Sequence, residues 1–178
     1  MNYSEIKYCD IANGPGVRTS LFVSGCRRHC KNCFNHMTWD FAYGRAFTAE
    51  VQEELLESLR PDYVDGLTLL GGEPFEPENQ RGLLGLVQEA KKRFPKKSIW
   101  VFSGNTLEEI LAEPVKCEVT QTFLSYLDVL VDGPFVQELY DIRLRFRGSS
   151  NQRILDLQES LKVKEAVWWK DPSPWNIF

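Results

Sequence analysis

Short apolar runs alternate with amphipathic segments along this chain, and this alternation limits its possible folds more than any other feature. The apolar runs cover residues 19–24, 66–70, 98–102, 128–131 and, more weakly, 152–155, with a further candidate at 166–169. Helical patterns lie at residues 48–60 and 78–94, and shorter ones at 106–111 and 121–126. Apolar strands joined by amphipathic helices are typical of βαβ units, whose parallel sheet is buried on both faces. The sequence therefore predicts an α/β fold.

The length of the chain favours an incomplete barrel. A closed eight-stranded βα barrel typically needs about 250 residues, whereas this chain has 178. We therefore expect an open, partial βα barrel with five to six parallel strands. Residues 1–178 are assigned to this one domain. Residues 171–178 contain two prolines, and we expect an irregular end that docks through Trp175 and Phe178.

Composition narrows the classes of partner and compartment. The net charge is −4 at pH 7, and a chain without a basic excess is not expected to bind nucleic acid. No apolar run is long enough to span a membrane, and no basic start is followed by an apolar stretch, so neither a membrane nor a secretory signal is expected. Five cysteines are too few for a secreted disulfide scaffold of this length. We expect a cytoplasmic protein that keeps thiols for a metal.

Three of these cysteines, Cys26, Cys30 and Cys33, form a C-x3-C-x2-C motif directly after the first apolar run. Thiolates are soft ligands that suit zinc or iron–sulfur clusters. Three thiolates can bind three irons of a four-iron cluster and leave the fourth iron open to a small molecule. A structural zinc ion is the rival interpretation, since it needs four protein ligands and the fourth can come from His29, His36 or Cys9.

Polar and glycine-rich residues follow the next two apolar runs. Gly71, Gly72 and Glu73 end the run at 66–70, and Ser103 ends the run at 98–102. Ligand-binding loops of parallel βα folds collect at the carboxyl ends of the strands. Backbone carbonyls beside the glycines and the Glu73 carboxylate suit an ammonium group, and the Ser103 hydroxyl suits a carboxylate. The alternatives are a simple tight turn at the glycines and a helix N-cap at Ser103.

Six separated segments carry a resemblance to a known family. They are residues 10–16 with Arg18, and residues 21–26, 71–74, 99–104, 129–133 and 147–152. In this order and spacing, the chain resembles the radical S-adenosylmethionine superfamily. It is most similar there to the activating enzymes of anaerobic (class III) ribonucleoside-triphosphate reductases. The resemblance covers roughly residues 3–155.

The resemblance implies a mechanism and its partners. A [4Fe-4S] cluster on the three cysteines would reductively cleave S-adenosylmethionine, and the resulting radical would take a hydrogen atom from a glycine of the large reductase subunit. A flavodoxin-like protein is the expected electron donor. The alternatives are the activation of another glycyl-radical enzyme, such as a formate-lyase-like one, and a zinc-stabilised binding module.

The resemblance also implies which residues contact S-adenosylmethionine. Asn32, Cys33 and Phe34 would lie against the adenine, although an aromatic residue often replaces Asn32 in the wider superfamily, which leaves the stacking partner open. Asn151, in the polar segment 147–152, would bind the ribose or carboxylate of the ligand, or the partner protein. Cys9 and Cys117 lie outside every motif and are expected to be structural or incidental. The implied contacts are therefore Asn32, Cys33, Phe34, Gly71, Gly72, Glu73, Ser103 and Asn151.

Overall fold

The computed structural model describes residues 1–171, whose strands form a single mixed sheet. The strands are β1 (Asn2–Asp10), β2 (Arg18–Val23), β3 (Arg45–Ala46), β4 (Gly66–Gly71), β5 (Ser98–Phe102), β6 (Val129–Asp132) and β7 (Arg153–Asp156). The helices are α1 (Ala49–Ser58), α2 (Pro77–Arg93), α3 (Leu107–Ile110), α4 (Thr120–Ser125) and α5 (Leu157–Val163), with short 3₁₀ helices at His36–Trp39 and Gln137–Leu139. The order of strands across the sheet is β3-β1-β2-β4-β5-β6-β7.

The middle of the sheet is parallel, as the alternation of strands and helices predicts. β2, β4, β5 and β6 run parallel to one another. β1 pairs with β2, and β7 pairs with β6, in the antiparallel direction. The α/β class is thus confirmed, but the expectation of five to six parallel strands is wrong, since the part of the chain that the structure describes has four. The run at 152–155 becomes antiparallel β7 because no α-helix lies between β6 and β7 to carry the chain back across the sheet.

Two other differences concern the margins of the sheet. β1 was not predicted, because its nine residues are mostly polar and only Tyr3 and Asp10 are buried, so it lacks an apolar run. The candidate strand at 166–169 contributes only an isolated bridge between Leu155 and Trp168. Its neighbour Trp169 packs edge-on against Trp100 with ring centroids 4.9 Å apart. The predicted docking of Trp175 and Phe178 lies outside the described residues.

The helices begin and end close to their predicted limits because the sequence supplies their caps. The Thr48 hydroxyl accepts a hydrogen bond from the Val51 amide at 3.4 Å and starts α1. Thr106 and Glu109 form a reciprocal capping box at the start of α3. Helix α2 ends on three basic residues, which suit the negative end of its dipole. In the described part of the chain, no helix combines the length and the apolar character needed to cross a bilayer.

The core lies between the helices and the central strands. The strand residues Leu21, Leu69, Val101 and Leu130 are completely buried and belong to one apolar cluster with residues of α1, α2, α4 and α5. Burial of a leucine-sized side chain contributes about 1.5–3 kcal/mol. The central strands are therefore rigidly held, and the loops at their ends are fixed relative to one another.

The edge of the sheet at which the parallel strands begin, called here the lower edge, is closed by a buried arginine. Arg18 is 0% exposed. Its Nε donates to the Thr68 hydroxyl at 2.7 Å, and its two terminal nitrogens donate to the carbonyls of Pro15 and Leu67 and to the hydroxyl and carbonyl of Ser98. Burial lowers the pKa of Arg18 to about 10, so the group stays protonated at neutral pH. Arg18, which the sequence marks only as part of a motif, ties β2, β4 and β5 together.

Candidate functional site

A cavity of about 230 Å³ opens at the opposite, upper edge, where the parallel strands end. It is bordered by the loop that follows β2, by the ends of β4 and β5, and by residues of the connection between β6 and β7. Four separate segments meet there because the carboxyl ends of parallel strands lie at one edge of a sheet. The structure therefore brings residues together that are more than a hundred positions apart in the sequence.

The three motif cysteines all line this cavity. Cys26, Cys30 and Cys33 are partly buried free thiols. The Cys26 amide donates to the Trp39 carbonyl at 3.1 Å, and the Gly25 amide donates to the Thr38 carbonyl at 2.8 Å. The cysteine loop, residues 26–33, is thus tied to the 3₁₀ helix that follows it.

The thiol of Cys26 lies in a partly buried environment. Burial raises its pKa to about 11, while hydrogen bonds from the backbone amides of Arg28 and His29 act in the opposite direction. Burial therefore outweighs the two amides, and a metal bound here would have to displace the proton of the Cys26 thiol. The two amides would then stabilise the thiolate.

The number of thiols bears on the choice between a cluster and a single ion. Within residues 1–171, no three His, Cys, Asp or Glu side chains are grouped so that they could hold one metal ion. A structural zinc ion needs four protein ligands, whereas three thiolates can ligate three irons of a four-iron cluster. Of the proposed fourth zinc ligands, Cys9 is exposed on β1, the His29 ring is stacked on the Trp39 indole at 4.5 Å, and the His36 ring lies 6.3 Å from the same indole. Among residues 1–171, none of them is grouped with two motif cysteines so that they could hold a metal ion.

Two hydrogen-bond donors beside the cavity have no acceptor. Nε of Arg28 and Nε1 of Trp39 are sealed from solvent and unpaired among the described residues, and both side chains line the cavity. A buried donor without a partner costs about 1–3 kcal/mol. A group with acceptor atoms that fills the cavity, such as an anionic cluster with its sulfides or a carboxylate, removes this cost. The donor set therefore fits an iron–sulfur cluster with a polar ligand.

The glycines after β4 are required by the close approach of the cysteine loop. Gly71 has a φ of +106°, and a Cβ on Gly72 would lie 2.6 Å from the carbonyl oxygen of Gly25. The Gly72 amide donates to the Val23 carbonyl, and the Glu73 amide donates to the Gly25 carbonyl, both at 2.8 Å. These residues line the cavity, and they are more than a simple turn because they fasten β4 to the loop that carries the cysteines.

Glu73 connects the ends of two strands. Its side chain is fully enclosed: Oε1 accepts from the Phe75 amide and the Ser103 hydroxyl, both at 2.9 Å, and Oε2 accepts from the Gly104 amide at 2.8 Å. Burial raises the pKa of Glu73 to about 7, despite these three donors. A carboxylate has about four lone-pair positions. Oε2 therefore retains one position for a further donor.

Ser103 does not cap the helix that follows it, and its hydroxyl is bonded within the cavity wall. Its hydroxyl donates to Glu73 and accepts from the Asn105 amide at 2.9 Å. The N-cap of the following helix is Thr106, so the N-cap interpretation of Ser103 is wrong. Ser103 lies in the cavity wall and orients the carboxylate of Glu73.

Of the three remaining predicted contacts, one lies at the cavity and two do not. Phe34 borders the cavity, is 73% exposed, and its ring lies 5.5 Å from that of Phe135. Asn32 and Asn151 are not among the lining residues. Asn32 adopts a φ of +58° in the cysteine loop, and the amide nitrogen of Asn151 donates to the Pro134 carbonyl at 2.8 Å.

Sequence reasoning missed a glutamine that closes the far wall. Oε1 of Gln152 accepts from the Gly148 and Ser149 amides, and Nε2 donates to the Gly133 carbonyl at 3.1 Å. Gln152 was visible only as the last residue of the polar segment. Trp39 was missed as well, although it follows Cys33 by six positions. Nothing in the local pattern of either residue indicates a cavity.

The positive charges of the cysteine loop are largely neutralised within the chain. Arg27 is hydrogen-bonded to Glu76 and Glu78, which raises the pKa of the guanidinium above its ordinary value. Nη1 of Arg28 donates to Oδ1 of Asn105 at 2.6 Å. Lys31 lies 4.0 Å from the carboxylate of Glu138. Arg28 is thus the cation of this loop that contributes directly to the cavity wall.

Comparisons with known proteins point to the same chemistry. The family described as "4Fe-4S single cluster domain" matches residues 12–155. The anaerobic ribonucleoside-triphosphate reductase-activating protein of Vibrio cholerae serotype O1 is 42% identical over 156 residues, which cover 86% of this chain and 97% of that protein. Proteins with the same name from Enterobacteria phage T4 and Escherichia coli (strain K12) are 41% and 39% identical, over 86% and 89% of this chain and 93% and 100% of their own lengths.

The family resemblance that rested on six short motifs is therefore confirmed over most of the chain. The match to the cluster domain includes all three motif cysteines and the four parallel strands β2, β4, β5 and β6. The chain belongs to the 4Fe-4S single cluster domain family and, within it, to the anaerobic ribonucleoside-triphosphate reductase-activating proteins.

Proposed function

We propose that this chain holds a [4Fe-4S] cluster on Cys26, Cys30 and Cys33 and uses it with S-adenosylmethionine to generate a glycyl radical on the large subunit of an anaerobic ribonucleoside-triphosphate reductase. The observation that carries the proposal is one cavity shared by three thiols and by the glycine-rich end of β4. Three thiolates leave one of four irons without a protein ligand, and this iron is free for the amino and carboxylate groups of S-adenosylmethionine.

The chemistry that the bound, reduced cluster supplies is one electron for cleavage of S-adenosylmethionine into methionine and a 5′-deoxyadenosyl radical, which takes a hydrogen atom from the glycine. The protein binds and orients the reactants and keeps water away. The site is suited to this task because Glu73 is enclosed and the loops around it are fixed by backbone hydrogen bonds.

In this proposal, Glu73 receives the ammonium group of the ligand. Its Oε2 has a free lone-pair position, and its orientation is set by Ser103 and by the Gly104 amide. The carbonyls beside Gly71 and Gly72 accept further N–H groups, because these residues have no side chains to keep a ligand away. Ser103 keeps its hydroxyl on Glu73, so its proposed part is to hold the carboxylate in place.

The adenosine part of the ligand is assigned to the outer half of the cavity. Phe34 offers an exposed aromatic ring there, and the backbone of Asn32 and Cys33 offers hydrogen bonds to the adenine edge. Asn151 lies in the segment that ends with Gln152, a lining residue. Since its nitrogen is bound to Pro134, the carbonyl oxygen of Asn151 is the group available to a ribose hydroxyl.

The proposal includes a cytoplasmic location, a flavodoxin-like electron donor and a sheet that curves as an open, partial βα barrel. It includes neither nucleic acid nor a membrane, in keeping with the net charge of −4. The cations Arg27 and Lys31 already face carboxylates of this chain. Docking of an acidic donor at this loop would therefore have to compete with internal ion pairs.

The test begins with anaerobic reconstitution with iron and sulfide, followed by reduction and electron paramagnetic resonance (EPR). We expect about four irons per chain, a change of the EPR spectrum on addition of S-adenosylmethionine, and formation of 5′-deoxyadenosine that depends on the reductant. A well-reconstituted, reduced protein that never cleaves S-adenosylmethionine contradicts the proposal. One zinc and no iron in anaerobically purified protein would support the binding module instead.

The identity of the protein substrate requires a second measurement. The activated chain is incubated with the large reductase subunit and, separately, with a formate-lyase-like glycyl-radical enzyme. We expect the glycyl EPR doublet on the reductase subunit alone. A doublet only on the other enzyme would replace the proposed substrate while leaving the cluster chemistry intact.

A further inference from the structure

The indole of Trp39 is held against the cysteine loop by two contacts. Its backbone carbonyl accepts from the Cys26 amide at 3.1 Å. Its ring carries the stacked imidazole of His29, with the centroids 4.5 Å apart and the planes inclined by 29°. His29 lies between the first two cysteines, so the indole supports this part of the loop.

The N–H of this indole has no use within the described protein. Nε1 of Trp39 is sealed from solvent and finds no acceptor among residues 1–171, although the side chain lines the cavity. Buried indole N–H groups usually find a partner. His29 covers a face of the indole and leaves its Nε1 edge free, so a group that occupies the space beside the thiols could supply the missing acceptor.

We propose that Trp39 is a positioning residue that donates its Nε1–H to a sulfur of the cluster and thereby raises the reduction potential of the cluster. The inference rests on the proposed function only as far as a cluster on the three cysteines. Hydrogen bonds to cluster sulfurs tune the potential, because the reduced cluster is the more negative one and gains more from a donor. The reduced state, which S-adenosylmethionine cleavage needs, is then easier to reach.

The first test compares Trp39→Phe with the wild-type chain after anaerobic reconstitution. Phenylalanine keeps a ring for His29 but removes the N–H. An EPR-monitored redox titration without S-adenosylmethionine should show a more negative midpoint. We expect the ratio of reduced to oxidised cluster at a fixed ambient potential to fall about tenfold, which corresponds to about 59 mV for one electron.

Trp169→Phe is the matched control, because Trp169 is also partly buried but packs against Trp100, away from the cavity. Its midpoint should equal that of the wild type. Iron and sulfide content and the visible absorption of each variant are measured first. A wild-type chain that assembles no cluster overturns the proposed function, whereas assembled variants with unchanged midpoints overturn only the role of Trp39.

A second measurement is made first on the wild-type chain. In wild-type protein with ¹⁵N in the tryptophan indoles, pulsed EPR of the reduced cluster should reveal a ¹⁵N coupling, and unlabelled protein should not. Within the described chain, Trp39 is the tryptophan that lines the cavity, and the coupling should be absent from labelled Trp39→Phe. Absence of the coupling from the wild type, or a shift of the midpoint only when S-adenosylmethionine is present, contradicts donation to the cluster.

Discussion

Arg18 and Arg28 lie at opposite edges of the same sheet, and the protein treats their charged groups differently. The guanidinium of Arg18 is completely buried and each of its nitrogens has an acceptor. Nε of Arg28 is buried without one, beside the cavity. At the lower edge, the polar groups therefore join strands to one another. At the upper edge, a buried donor remains available to a ligand that fills the cavity.

The largest effect is expected for the three motif cysteines, which line the cavity at the upper edge. Cys30→Ala removes one ligand of a loop that has only three, so we expect loss of the cluster and of all S-adenosylmethionine cleavage. The fold should survive, because Cys30 is only partly buried and has no place in the core. Iron content and 5′-deoxyadenosine formation provide the measurement.

Cys117→Ala and Cys9→Ala are the matched controls, since neither thiol lines the cavity. Both variants should bind the same amount of iron as the wild type. If Cys117→Ala or Cys9→Ala loses the cluster while Cys30→Ala keeps it, the ligand assignment is wrong.

Arg18→Met should give the reverse pattern, with a large effect on stability. Methionine fills a similar volume but leaves the carbonyls of Leu67 and Ser98 without the Arg18 donor, whereas the Thr68 hydroxyl keeps its hydrogen bond to the Asn13 carbonyl. Unpaired buried acceptors cost about 1–3 kcal/mol each, so we expect a loss of at least about 2 kcal/mol in the free energy of unfolding. Urea denaturation under anaerobic conditions measures it.

Arg28→Met serves as the comparison for Arg18→Met and should cost about 1 kcal/mol or less, because its good hydrogen bond is the one to Asn105. Equal losses for the two variants would remove the contrast between the edges. Where Arg18→Met does not fold, Arg18→Lys retains the charge but fewer donors, and it should lie between the wild type and complete unfolding.

The same contrast explains how much the sequence could predict. The central strands and the two long helices follow from local apolar patterns, and the cysteine motif is confined to eight positions. The acceptors of Arg18, in contrast, lie up to 80 positions further along the chain. A single sequence does not reveal such a pairing, so the role of Arg18 could not be inferred from its neighbours.

The outline of the cavity could be predicted from the sequence, but some of its lining residues could not. The carboxyl ends of parallel strands must lie together, which placed Glu73 and Ser103 near the cysteines. Trp39 and Gln152 arrive from irregular segments whose course depends on tertiary packing. β1 could not be predicted because it is half exposed and polar. Such a strand is stabilised by pairing with a neighbour, here β2.

Glu73 permits a test of the upper edge through pH. Its pKa is about 7 in the folded chain, raised by burial from an ordinary value of 4.5. Between these two pH values the folded state keeps a proton that the unfolded state has lost, so the stability conferred at low pH is lost as the pH rises. We expect the free energy of unfolding of the cluster-free chain to fall by on the order of 2 kcal/mol over this window.

In Glu73→Gln, this fall should disappear, whatever the absolute stability of the variant. Glu78→Gln is the matched control. Hydrogen bonds to Arg27 lower the pKa of Glu78 to about 2, so its titration lies below the window and the fall should persist. Urea unfolding at several pH values between 4.5 and 7 measures both variants, and an unchanged slope in Glu73→Gln would show that another group titrates there.

Gly104 is expected to give the smallest effect and to show how closely the upper edge is packed. A Cβ at this position would lie 2.6 Å from Cδ of Arg28 and 3.5 Å from Oε2 of Glu73. In Gly104→Ala, the flexible arginine can move away, so we expect a stability loss of about 1 kcal/mol or less. The affinity for S-adenosylmethionine, measured by equilibrium dialysis on the reconstituted protein, should fall several-fold because the cavity wall shifts.

Gly85→Ala is the matched control, and its expected effect on stability has the opposite sign. Gly85 lies inside α2, and its new Cβ would meet only Oε1 of Gln52, at an ordinary 3.5 Å. An alanine in a helix interior gains about 0.5–1 kcal/mol over glycine, so this variant should be more stable and should bind S-adenosylmethionine as the wild type does. If Gly104→Ala is also more stable and binds S-adenosylmethionine as the wild type does, Arg28 does not pack closely against Gly104. Its unpaired Nε would then have no role in ligand binding.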